Sequence, residues 1–146
     1  MNQAIEDFVG GKRIAVAGVS RSGKKFGNAA FVELKGRGYD VFAVHPTAKE
    51  INGTPCYPNL SSLRERVDGA LVVLPAEKAM PVLREAASIG LKNIWLQRGA
   101  ESPELLALAR ELQLNIVSGK CILMYAPPVR SIHSWHRTVT RWLGRL

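Results

Sequence analysis

Short apolar runs, separated by stretches of helical periodicity, constrain this chain more than any other feature. The runs are RIAVA (13–17), VFAV (41–44), ALVVL (70–74), NIWLQ (93–97) and NIVS (115–118). They are continuous rather than alternating, as strands covered on both faces are. Between them the spacing predicts helices near 27–37, 61–66, 78–89 and 103–112. GRGYD (36–40) and SIGLK (88–92) put glycine where a helix ends in a left-handed residue. SPELL (102–106) starts a helix with Ser102 as cap and Pro103 in its first position.

The segment NGTPCYPNLSSL (52–63) is weaker, because Pro55 and Pro58 cannot donate to a central ladder. It is expected to supply only a short edge strand around Cys56–Tyr57. Six strands in β/α alternation predict a parallel sheet with helices on both faces. The expected fold is therefore a Rossmann-like, doubly wound α/β domain with strand order 3-2-1-4-5-6, spanning 1–126. A C-terminal basic amphipathic helix over 127–146 follows Pro127-Pro128. Its Ile132, Trp135, Val139, Trp142 and Leu143 recur at three- and four-residue steps. Packing on the domain or on a partner, a second copy included, is the plain expectation for it; contact with RNA or a membrane surface is the sharper one.

A chain of 146 residues can bury a proper core, and 47% hydrophobic with 22% charged residues suits a globular protein. No apolar run approaches the roughly 18 residues needed to span a bilayer. MNQAIEDFVGGKR carries acids where a signal peptide is basic, so a cytoplasmic location is expected. Cys56 and Cys121 have no metal-ligand spacing and are read as small packing residues, Cys121 facing the expected cleft. His133 and His136 are spaced for one helical face but lack a third ligand, so no metal is assigned.

The net charge of +8 is unevenly placed. Arg21, Lys24 and Lys25 crowd one loop, and Arg130, Arg137, Arg141 and Arg145 occupy the tail, so these two acid-free segments hold seven of the eight excess charges. A uniformly basic surface would point to nucleic acid. Concentration in a glycine-containing loop argues for a bound anion and against nucleic acid as the main partner.

That loop, GVSRSGKK (18–25), falls one residue short of a P-loop because Lys25 replaces the metal-binding Ser or Thr. The candidate partner strand ends Leu74-Pro75 rather than in aspartate, and Asp68 precedes that strand. A nucleoside triphosphatase would thus lack its metal site twice over. NAD is disfavoured too, since the second strand ends His45-Pro46 with no carboxylate for a ribose diol. NADP survives as an alternative. A helix N-terminus with nearby cations suits a metal-free polyphosphate, while a tight β–α connection with solvated lysines remains the bland reading.

Across most of its length the chain resembles the small CoA-binding-domain proteins, relatives of the CoA-binding domain of succinyl-CoA synthetase α subunits. The resemblance rests on IAVAGVSRSGKKFGNAAFVELKGRGYDVFAVHP (14–46), EINGTPCYPNL (50–60), VVLPAEKAMPVLREAASIGLKNIWLQRGA (72–100) and GKCILMY (119–125). It implies coenzyme A as the cofactor, with the diphosphate on the loop around Gly18, Val19, Ser20 and Arg21. It also implies the nucleotide end along Val44, His45 and Pro46, with Lys49, Lys24 or Lys25 meeting phosphate. The pantetheine arm would pass Leu74 and Pro75, and Gln97 and Gly99 of the QRG stretch would complete the contacts.

The resemblance does not bring acid–thiol ligation with it. None of His45, His133 and His136 lies in a glycine-rich phosphohistidine loop. The expected function is a module that binds CoA or an acyl-CoA, with no catalytic residue assigned. An enzyme using NADP or an acyl-CoA is the first alternative, with only His45 or Cys121 as acid–base candidates. A nucleic-acid binder acting through the tail is the second.

Overall fold

The computed structural model describes residues 3–97 and 101–128. The expected tail helix, with His133, Trp135 and His136, lies outside them apart from Pro127 and Pro128, and so does Gly99. Seven strands form one sheet: β1 (Arg13–Ala17), β2 (Asp40–Val44), β3 (Glu50–Ile51), β4 (Thr54–Tyr57), β5 (Gly69–Val72), β6 (Asn93–Gln97) and β7 (Asn115–Lys120). Their order is β3-β4-β2-β1-β5-β6-β7. The α/β doubly wound architecture is as expected, and the six anticipated strands keep their relative order.

The strand count is corrected from six to seven. The added strand, β3, pairs antiparallel with β4 (Ile51 opposite Thr54), whereas β4 joins β2 in parallel. Asn52 and Gly53, at φ 51° and 75°, make the two-residue turn between them. Two consecutive left-handed residues match the twist of a hairpin, and Asn-Gly is the pair that adopts this most readily.

Four helices cover the sheet: α1 (Gln3–Gly10), α2 (Phe26–Gly36), α3 (Ala76–Ser88) and α4 (Pro103–Glu111). Helix α1 was not anticipated. Its Ile5, Phe8 and Val9 are buried, and the Phe8 ring meets Trp95 edge-on at 5.4 Å between centroids. The helix expected over 61–66 is instead a single 3-10 turn, Leu60–Leu63, capped by the Asn59 side chain accepting from the Ser62 amide. The other ends behave as read: Gly38 and Gly90 take positive φ after α2 and α3, and Ser102 Oγ accepts from the Leu105 amide.

The core lies in two layers. Ile5, Phe8, Phe31, Leu34 and Trp95 fill the face under α1 and α2. Leu60, Leu83, Ile94, Leu96 and Leu105 fill the face under α3 and α4. Side chains alternate between these faces along each strand, so residue parity decides which face of the sheet end a side chain serves. Among the described residues no helix is long and apolar enough to cross a membrane.

Asp68 closes the opposite, N-terminal end of the sheet. Its carboxylate accepts from the Lys12 and Arg13 amides and pairs with the Arg13 guanidinium at 2.8 Å. The Arg13 hydrogen bond, foremost, holds the Asp68 carboxyl below its ordinary pKa despite an opposing desolvation effect. A lowered folded pKa contributes stability above the unfolded value, near 3.9, that is lost as pH falls through the folded value. Asp68→Asn should therefore cost about 1 kcal/mol at pH 7, a modest figure because the pair is partly exposed. Thermal melts of the variant and the parent should converge as the pH drops below about 4; a constant gap would show that the charge is not what matters.

Candidate functional site

The loop joining β1 to α2 is built on backbone crowding. Gly18 has φ +123°, and a Cβ there would collide with the carbonyl group of Val73. A Cβ on Gly27 would in turn collide with the Gly18 carbonyl. The segment after β5, the first loop and the start of α2 are thus stacked backbone on backbone, which only glycine permits. Gly23, at φ +74°, closes the turn by donating its amide to the Ser20 carbonyl at 3.1 Å.

Short polar side chains fix the rest of the loop. Asn28, 1% exposed, accepts from the Ser20 amide (2.8 Å) and donates Nδ2 to the Ser20 carbonyl (2.9 Å) and to Asn52 Oδ1 (3.0 Å). The Ser20 hydroxyl accepts from the Ser22 amide, and that of Ser22 from the Lys24 amide. Lys25 is the N-cap of α2 and makes no side-chain cap bond. The Phe26 and Gly27 amides that open this helix have no partner among the described residues. Unpaired amides at a positive helix end form a site for an anion.

Beside them a cleft of about 510 Å³ opens at the carboxyl ends of β1, β2 and β5. Of the residues singled out from sequence, it gathers Gly18, Val19 and Lys25 from the first loop, Val44, His45 and Pro46 from the end of β2, and Leu74 after β5. Ser20, Arg21, Lys24, Lys49 and Pro75 are not among its lining residues. Arg21 instead reaches over to the loop after β2, donating to the Thr47 hydroxyl at 2.6 Å. Pro75 is the N-cap of α3, and Lys49 is exposed.

Gln97 and Cys121 are placed elsewhere. They line a second cavity on the α1/α2 side of the sheet, so the expectation that Cys121 faces the cleft is corrected. Gln97 turns away because it shares the face of Trp95, two residues before it, while Leu96 between them packs under α3 and α4; Cys121 lies just past β7, as the cap of the 3-10 turn Ile122–Met124. Burial pushes the Cys56 thiol up, in keeping with a packing role on its strand.

His45 is held in one tautomer. Its Nδ1 accepts from the Thr47 amide (3.1 Å) and the Ala48 amide (3.0 Å), so the proton resides on Nε2. Partial desolvation, with the charges of Arg21 and Lys25, lowers its pKa. A neutral imidazole with its Nδ1 committed can offer an Nε2–H donor; it is poorly placed to take a proton.

The far wall of the cleft was not foreseen. It comprises Pro58–Leu60 and the first three turns of α3, including Glu77, Pro81 and Glu85. Glu85 accepts from the Leu60 amide (2.9 Å) and the Ser61 hydroxyl (2.9 Å), tying the 3-10 turn to α3. Pro81 has no amide to give the Glu77 carbonyl, the helical acceptor four residues before it. The sequence cue was available, since proline inside a helical pattern frees such a carbonyl. Among the described residues no three His, Cys, Asp or Glu side chains gather to hold a metal ion.

Comparison with known proteins gives these features a context. A family model described as a CoA binding domain matches residues 12–127. The chain is 30% identical over 123 residues to an ADP-forming acetate–CoA ligase I of Archaeoglobus fulgidus, covering 77% of this chain and 18% of the ligase. It is 26% identical over 129 residues to the alpha subunit of ADP-forming acetate–CoA ligase II of Pyrococcus furiosus, covering 81% of this chain and 28% of that subunit. The chain thus spans less than a third of either ligase protein. Among solved structures it is similar to a conserved hypothetical protein of Pyrococcus furiosus, with TM-score 0.73 and 33% identity, covering 77% of this chain and 97% of that one.

Proposed function

The chain belongs to the CoA-binding domain family, and on that premise we propose that it binds coenzyme A or a CoA thioester in the cleft, as a binding module rather than a catalyst. The observation that carries this is convergence: residues from three separate loops, all implied by the family resemblance, line one cleft beside two unpaired helix-opening amides. The diphosphate rests at the start of α2, on the Phe26 and Gly27 amides, with the Lys25 ammonium beside them. Arg21 gives up its Thr47 contact for phosphate, and His45 adds its Nε2–H. The nucleotide end lies along Val44–Pro46, and the pantetheine arm passes Leu74 and Pro75. The Glu77 carbonyl, spared by Pro81, is an acceptor for the amide N–H groups of that arm.

No step here needs a metal, because fixed cations and amides meet the phosphate charge. Acid–thiol ligation is what the whole ligases are named for, and only binding is proposed for this chain. CoA at a hundred times its Kd should stabilise the fold by about 2.7 kcal/mol. For a chain of this size that raises the melting temperature by about 8 °C. The measurement is a thermal melt with CoA in the presence of EDTA. Stabilisation by ATP with Mg²⁺ but not by CoA would overturn the reading.

A further inference from the structure

The second cavity, of about 540 Å³, lies at the carboxyl ends of β5, β6 and β7 on the α1/α2 face. Its lining is Phe26, Val73, Gln97, Cys121 and Met124. Phe26 and Met124 are unusual in their own right, 38% and 60% exposed although large and apolar. Gln97 is 6% exposed. Its Oε1 accepts from the Ile122 amide at 3.2 Å, which fixes the orientation of the carboxamide. Its Nε2, with two hydrogens, has no partner among the described residues. With the carboxamide fixed through its oxygen, this donor stays available to a bound acceptor.

The walls specify that acceptor. Among the described residues no charged side chain lines the cavity, so a carboxylate or phosphate would lose its hydration there without a counter-charge from them. An uncharged carbonyl attached to a hydrocarbon satisfies both the Gln97 amine and the apolar side chains. The position is equally specific. Val73 lines this cavity and Leu74 lines the cleft, so the two spaces adjoin at a single peptide and open on opposite faces of the sheet. An arm that passes Leu74 and crosses the sheet end at that peptide arrives at Gln97.

Resting on the CoA reading above, we infer that the ligand this protein distinguishes is an acyl thioester. Gln97 Nε2 donates to the thioester carbonyl, and the acyl chain lies against Phe26, Val73 and Met124. Free CoA fills the cleft and leaves the second cavity without its carbonyl and its hydrocarbon.

The test is calorimetric titration of the full chain with CoA and with acetyl-, butyryl-, hexanoyl- and octanoyl-CoA. Each added methylene should tighten binding by about two- to fourfold until the cavity is filled. Met124→Glu, at an exposed position that a charge can occupy without unfolding the domain, should cut the octanoyl-CoA to CoA affinity ratio at least tenfold, as an order-of-magnitude expectation. Equal affinities for CoA and every thioester would overturn this inference and leave the CoA reading standing. A chain-length trend that survived Met124→Glu would overturn the placement in this cavity. Failure of CoA and all four thioesters to bind would overturn the reading beneath it.

Discussion

Gly18→Ala should destabilise the domain by about 3 kcal/mol or more, lowering the melting temperature by roughly 9 °C. Two costs combine. The added methyl meets the Val73 carbonyl, a backbone group held in place by the Val73 amide donating a hydrogen bond to the Ala17 carbonyl at 2.7 Å, so it cannot move aside as a flexible side chain would. The backbone at φ +123° is also outside the regions an alanine adopts without strain. Gly23→Ala is the internal comparison. It has positive φ but open space around the new methyl, so about 1 kcal/mol of conformational cost is expected. Equal losses at the two positions in thermal melts would mean that the close approach at Gly18 is not what demands glycine.

The second large effect concerns ligand affinity. Arg21→Ala combined with Lys25→Ala should weaken CoA by about two powers of ten, one for each charge-assisted contact to phosphate. Melting of the free protein should hardly change, because neither residue forms an ion pair with a carboxylate among the described residues and exposed charges contribute little. Lys24→Ala is the comparison for this pair: both Arg21 and Lys24 are exposed and outside the cleft lining, but only Arg21 reaches over to the loop after β2, so the loss of Lys24 should matter much less. Titration of the double variant with CoA measures the effect. Affinity equal to the parent's would remove the first loop from the site.

Much of the fold was legible because its strands are buried on both faces and therefore read as unbroken apolar runs. Helix ends were legible where a single residue type answers a local geometric need, as at Gly38, Gly90 and Ser102. Two elements were missed for different reasons. Helix α1 was weighed only as a leader segment, although Ile5, Phe8 and Val9 are spaced for one buried face. Strand β3 is two residues long, below what periodicity can register, yet the Asn52-Gly53 pair is a hairpin signal that stood in the sequence. The 3-10 turn at Leu60–Leu63 imitates the first turn of an α-helix, and only its Asn59 cap and the Glu85 clamp show where it stops.

The site divides along similar lines. Gly18, Lys25 and the His45-Pro46 pair could be picked out because loops at the carboxyl ends of parallel strands converge by topology alone. The far wall was legible only at Pro81, because Glu85 reaches the cleft through the packing of α3 against the 3-10 turn. The division of Leu74 from Gln97 between two cavities follows from strand parity, a rule that needs the register of three strands and not the residues alone.

The Asn28 carboxamide has a consequence beyond holding Ser20. By joining Ser20 to Asn52 it makes the first loop and the edge hairpin a single mechanical unit, although Asn52 lies outside the cleft lining. Sheet-edge hairpins tolerate changes of length and sequence well, since few contacts depend on them. Here such a change would pull on the carboxamide and tilt the peptide groups of Ser20, leaving every ligand-facing side chain as it was. Affinity in this architecture can therefore be retuned from the rim, by altering how tautly the loop is strung rather than what it displays.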